Sequence, residues 1–253
     1  MRKVAYLVRN LFGDLVPDPM KGRAFGGDQS PQGNATSLTG IDMPFVGLRA
    51  VFGYDLVLPG EIERGTNKPY DEQHDFGSGI EHLRKSLEQE GEKREISLII
   101  PGPNGALCSE QLSMSYQRHF SPNGQELRTW IKGSNEITRP GEKGWYFESV
   151  LKHAGGIACF GYYVVTVAPF DMRRADEYAN LAETLWILIA FRAAKGESLL
   201  KEGGSVMTSS CCERMPDRMI VDVTPEGIEP SYLSRDGHVP SVAFIVSHVS
   251  MHK

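Results

Sequence analysis

The chain has 253 residues, a formal net charge of −5 and 40% hydrophobic side chains, with 27 Gly and 15 Pro. That length and apolar content suffice for one large domain or two small ones with a real core. The acidic balance argues against a nucleic-acid groove as the working surface. No stretch reaches the ~20 predominantly apolar residues of a membrane span, because Asp176, Glu177, Glu183 and Arg192 interrupt the most apolar one.

Taken in order, residues 4–11 read as a first strand. The short apolar piece at the amino terminus, broken by Arg9, does not fit a secretory signal, so a cytoplasmic protein is expected. Residues 13–44 are rich in Gly, Pro, Asp, Ser and Asn, with no periodicity. Across 45–58, Val46, Leu48, Ala50, Phe52, Tyr54, Leu56 and Leu58 alternate, which predicts a strand with a bulge at Gly53. Residues 59–77 form a second irregular stretch. Ser78 and Glu81 make a capping box, and Ile80, Leu83 and Leu87 share one face of a helix that Gly91 should end.

Residues 95–100 are a compact apolar strand, followed by a turn at Gly102-Pro103-Asn104-Gly105. Leu112, Met114 and Tyr116 alternate with polar residues, as do Leu127, Thr129 and Ile131 after Asn123-Gly124. An Asn-Gly turn between alternating runs predicts a hairpin of 111–120 with 125–132. Residues 145–154 read as a short amphipathic helix.

The core of the chain is expected at 157–195. Tyr162, Tyr163, Val164, Val165, Thr166 and Val167 suit a central strand. Ala175, Tyr178, Ala182, Leu185, Ile189 and Ala193 recur at helical spacing, so one long helix is predicted over 172–195, capped by Asp171 and ended by Gly196. After residue 200 the character changes. Residues 206–218 show no hydrophobic periodicity and read as a linker, with short strands at 219–223 and 242–249.

Strands and helices do not alternate regularly, so the expected class is α+β: a mostly antiparallel sheet with a few packed helices, the longest near 172–195. Residues 1–200 are expected to form a single domain with irregular stretches at 13–44 and 59–77. Residues 201–253 are expected to be a linker and a loosely packed C-terminal segment.

Candidate chemistry is sparse. Asp71, Glu72, His74 and Asp75, with Glu81 and His82, are the densest set of ligand-type residues. Imidazole with carboxylate can hold zinc, manganese or iron, so His74, Asp75 and His82 are the candidate ligands of a divalent metal in a metal-assisted hydrolase. A solvated acidic loop explains the same residues. Arg173 and Arg174 fall in the first turn of the predicted long helix, where positive charge opposes the macrodipole and a bound anion would relieve it. Pairing with Asp176 or Glu177 is the simpler account.

His119-Phe120-Ser121 and His248-Val249-Ser250 both fit the H-x-S pattern of two-histidine phosphoesterases. With seven histidines in the chain, two such matches are close to chance. Neither a P-loop nor a G-x-S-x-G elbow is present. Cys108, Cys159, Cys211 and Cys212 are spaced neither as a disulfide framework nor as a zinc pair.

One tail feature concerns the gene. Glu226-Gly227-Ile228-Glu229-Pro230-Ser231 can be encoded by GAG GGA ATC GAA CCC TC, whose reverse complement closes into the T-arm of a tRNA. Mobile elements insert at such loci. Together these features lead to the expectation of a non-enzymatic accessory protein, of immunity or anti-defence type, that binds a protein partner. The metal-assisted hydrolase is the alternative.

Overall fold

The computed structural model describes residues 38–71, 75–77, 79–121, 155–200, 204–212, 215–232, 240 and 242–250. The strand expected at 4–11, the hairpin arm at 125–132, the helix at 145–154 and most of 13–44 lie outside them. Among the described residues, the strands are β1 (Leu98–Pro101), β2 (Leu107–Cys108), β3 (Ile157–Ala158), β4 (Gly161–Pro169), β5 (Ser205–Cys212), β6 (Met215–Val223), β7 (Ile228–Tyr232) and β8 (Val242–Ser250). The α-helices are α1 (Val46–Phe52), α2 (Pro59–Thr66), α3 (Ile80–Lys93), α4 (Ser109–Ser115) and α5 (Leu181–Lys195). The fold is α+β, with a mostly antiparallel six-stranded sheet in the order β1-β4-β8-β5-β6-β7. Only β5 and β8 run parallel, at Val206–Val242 and Met207–Ala243. A second ladder joins β2 to β3.

The centre is the expected one, but the long helix divides. Residues Met172–Glu177 form a 3₁₀ helix, and α5 starts at Leu181. Asn180 sets the break: its side chain accepts from the Glu183 N–H while the Glu183 carboxylate accepts from the Asn180 N–H. Between the two helices the backbone is extended and inserts where β5 and β8 diverge. There the Ala179 N–H donates to the Phe244 carbonyl and its own carbonyl accepts from the Ser209 N–H. The Asp171 side chain caps the 3₁₀ helix rather than α5, and Gly196 ends α5 in the left-handed conformation, φ 73°. From Leu181 to Phe191 only Glu183 escapes burial, as an all-round apolar helix requires.

Helix α2 lies against α5, and a Cβ on Gly65 would overlap the Ala193 backbone, so this glycine sets how closely the two helices approach.

The expectation of a loosely packed segment after residue 200 does not hold. Residues beyond it supply four of the six sheet strands, and β8 sits between β4 and β5 with nine residue pairs to β4. Val206, Met207, Met219, Val221 and Phe244 are fully buried. The stretch read as a linker is largely β5. Its missing hydrophobic signal comes from Thr208 and Ser210, which are buried but bonded: Thr208 donates to the Met219 carbonyl and Ser210 accepts from the Leu181 N–H.

Alternation along β8 puts Phe244 into the main core. Ala243 and Ile245 face the other side, in a smaller cluster with Ala175, Tyr178, Met207 and Ile220.

Three further expectations change. The strand over 45–58 is a 3₁₀ turn (Gly40–Phe45), then α1, then a second 3₁₀ turn (Gly53–Asp55). Strand-like pairing is confined to its end, where Leu56 forms a parallel bridge to Ile99 and the Val57 N–H donates to the Ile99 carbonyl at 2.9 Å. The stretch 59–77 contains α2, with Pro59 at its first position and Glu61 accepting from the Leu58 N–H. The first arm of the hairpin is instead α4 and the turn after it: Leu112 of α4 and Tyr116, just past its end, are buried while Met114 is exposed. Helix α3 forms as expected but runs past Gly91 to Lys93. No helix among the described residues is long and apolar enough to cross a membrane.

Candidate functional site: an apolar face over 38–54

Residues 38–54 contain two charged side chains: Asp42, which is buried, and Arg49, which is 31% exposed but has its guanidinium drawn to Leu56 and Glu61. Asp42 is fully buried. One of its oxygens accepts from the Gly60 N–H at 2.8 Å, and the other accepts from the Thr39 hydroxyl at 2.8 Å and the Thr39 N–H at 3.1 Å. Arg49 donates to the Leu56 carbonyl and to Glu61, the latter at 3.2 Å.

Glu61 is the hub of an ionic trio. It also accepts from Lys195 Nζ at 2.8 Å, with side-chain exposures of 9% for Glu61 and 4% for Lys195. Burial lowers the pKa of Lys195, and the Glu61 carboxylate pulls against that shift. The Lys195 ammonium also lies 4.9 Å from the centre of the Tyr54 ring. The Tyr54 hydroxyl donates to Glu197, and burial with that carboxylate pushes its pKa upward. Buried ion pairs add little net stability, because desolvation offsets the attraction, but they fix relative placement. Here the trio ties α1 to α2 and to the end of α5.

With its charges spent on internal partners, the stretch presents apolar groups outward. Leu38, Met43, Val46 and Tyr54 are 47%, 61%, 45% and 46% exposed. The other exposed positions between them are Gly40, Gly47, Ala50 and Gly53. Within α1, Val46, Gly47 and Ala50 fall three or four residues apart on one face; exposed Met43 lies on the preceding 3₁₀ turn and exposed Tyr54 follows the break at Gly53, φ 55°. Phe45 and Leu48 on the opposite side are buried in the core. A helix that is apolar on both sides is ordinarily covered on both, and a contiguous exposed apolar patch marks an interaction surface.

The sites expected from sequence are arranged otherwise. His74 lies outside the described residues. Asp75 is exposed, and its carboxylate accepts from the Gly77 N–H in a local turn. His82 is exposed on α3, and Glu81 pairs with Arg84 instead of capping. No group of three His, Cys, Asp or Glu side chains among the described residues could hold a metal ion. Arg173 pairs with Asp171, and Arg174 with Glu177. Because the α-helix begins only at Leu181, neither arginine opposes its dipole, and the conflict that an anion was to relieve is absent.

The two H-x-S motifs stay apart. Phe120, beside His119, bridges to β7 at the sheet edge, whereas His248 is on β8, three places inward. Neighbouring strands lie about 4.8 Å apart, so roughly 14 Å of sheet separates them. His119 is buried next to Arg118, and His248 bonds to the Phe160 carbonyl and packs on the Tyr163 ring at 4.9 Å.

Sequence reasoning missed the 38–54 face. The signal was a run of seventeen residues with two charges, an unusually apolar stretch for a surface segment. Comparison of the chain with family models, curated proteins and solved structures gives no match.

Proposed function

We propose that the protein is a non-enzymatic accessory factor that binds a protein partner through the 38–54 face. The observation that carries this reading is the inverted polarity of the segment: Asp42 and Arg49 are committed to internal partners while Met43, Val46 and Tyr54 are exposed. Gly47 and Ala50 share the face of Val46 and leave room for close backbone approach. The matching partner surface is therefore an apolar helix face. The buried ionic trio holds the face rigid before binding, which lowers the ordering cost of association.

The immunity or anti-defence character rests on the codon pattern at Glu226–Ser231 alone, since Ile228–Tyr232 is β7 of the sheet and not an appended tail, and the DNA sequence of the locus tests it. For the binding surface, a photo-crosslinking residue placed at Ala50 in cells should trap a second protein, and the same residue at the exposed Lys85 of α3 should not. Introducing Met43→Glu should abolish the adduct. Equal trapping at both positions, or an adduct that contains only two copies of this chain, contradicts the proposal.

A further inference from the structure

Away from the 38–54 face, a cleft opens between the end of α2, the turn after β1 and α4. It has a volume of about 180 Å³ and adjoins a second opening of about 230 Å³, the two sharing Thr66, Ser115 and Tyr116. Trp186 of α5 lines the first opening, and its ring meets Tyr116 edge-on at 5.5 Å. The Gly102-Pro103-Asn104-Gly105 turn supplies another wall through Asn104, whose amide is anchored on the Pro69 carbonyl and the Asp71 N–H.

Two of the aromatic walls have their polar groups committed. Trp186 Nε1 donates to the Pro101 carbonyl and the Tyr70 hydroxyl to the Gly102 carbonyl, both at 2.8 Å. Groups available to a ligand include the Lys68 ammonium, 4.8 Å from the centre of the Tyr116 ring, and the Ser115 hydroxyl.

Charge singles out this cleft. Lys68 lines the first opening and Arg118 the second, and no carboxylate lines either among the described residues. The chain as a whole carries a net charge of −5. Glu63 stands behind the wall, its carboxylate held by the Tyr70 N–H at 2.7 Å, so the charges that line the cleft are cationic and favour a negatively charged occupant. Its size admits a ring-sized molecule, below the usual range for larger ligands. Its aromatic walls favour a planar body, with the anionic head toward Lys68.

We infer that this cleft binds a small aromatic anion, a carboxylate or phosphate ester whose ring packs against Tyr116 and whose head pairs with Lys68. The pairing is charge-assisted, whereas a neutral isostere offers only ring contact, so the two differ by about tenfold in affinity.

The test is calorimetric titration of the full chain with benzoate, phenyl phosphate and benzyl alcohol. Both anions, or one of them, should bind about tenfold more tightly than benzyl alcohol. The tighter anion identifies the head group. Lys68→Gln should remove most of that preference without moving the melting temperature, since Lys68 is exposed. Tyr116→Leu should weaken all three probes.

Binding of benzyl alcohol as tight as that of the anions would overturn the inference. So would unchanged anion affinity in Lys68→Gln, or absence of heat with every probe at about 10 mM. Met43→Glu, at a residue that lines neither opening, should leave these titrations unaltered, so this site and the docking face stand or fall separately.

Discussion

Replacing Phe244 by Ala probes how residues beyond 200 are integrated. Phe244 is fully buried in β8, directly opposite Val167 of β4, and its carbonyl accepts the Ala179 N–H that holds the start of α5. The backbone bond survives the substitution, so the loss is one of packing. Truncating a buried Phe to Ala costs about 3–5 kcal/mol, the transfer free energy of the ring plus the cavity it leaves. For a chain of this size each kcal/mol moves the melting temperature by about 2–4 °C, which gives a drop of roughly 6–20 °C. Thermal melts and urea titrations of wild type and variant measure it, with an unchanged urea slope showing that the same structure unfolds. Met172→Ala, at a 56% exposed position, is the control and should stay within about 0.5 kcal/mol. A Phe244→Ala effect as small as the control's would refute the placement of β8 inside the sheet.

Other consequences follow from particular groups. Glu61→Gln strands the buried Lys195 ammonium and should cost about 3–5 kcal/mol in urea unfolding, with a loss under about 1 kcal/mol contradicting the trio. Burial, aided by Arg118 and Arg192, holds the His119 imidazole down at about 4. The unfolded chain therefore binds a proton that the folded chain refuses between about pH 6.5 and 4, and stability falls as pH drops through that window. His119→Gln should flatten that fall, and an unchanged pH profile would show that other groups cause it. Purified protein should carry zinc, manganese and iron well below one equivalent, and adding each should leave the melting temperature unchanged. A full equivalent with a rise in melting temperature would favour the hydrolase reading through His74, Asp75 and His82.

The parts of the fold legible in the sequence are those where burial follows one simple period. The apolar run that became β4 is buried from Gly161 to Thr166, and α3 shows its Leu83 and Leu87 stripe. Reading failed where two periods fit the same residues. Phe45, Leu48 and Phe52 lie on a helical stripe, but Leu48, Phe52 and Leu56 also alternate as in a strand. Leu112 and Tyr116 satisfy a strand and a helix equally, and only the exposure of Met114 separates them. The division of the 172–195 helix was written in Asn180 and Glu183, a capping box overlooked because the apolar stripe runs through it. Strand β5 was hidden because Thr208 and Ser210 are buried through tertiary hydrogen bonds that no local pattern announces. The charge-poor run over 38–54 signals an unusual segment but not its exposed side, because which apolar side chains stay outside depends on where Asp42 and Arg49 find partners, in Gly60 and Glu61.

The central claim is that the 38–54 face is a free surface of the folded chain, available to a partner. The most direct measurement is the melting temperature of the Val46→Glu, Ala50→Glu double variant. Two substitutions at exposed positions should together cost no more than about 1 kcal/mol, a shift of about 4 °C at most. A drop of about 10 °C or more, or loss of soluble protein, would mean that both carboxylates had been forced into a packed interior, and the face would not be the docking surface proposed for it.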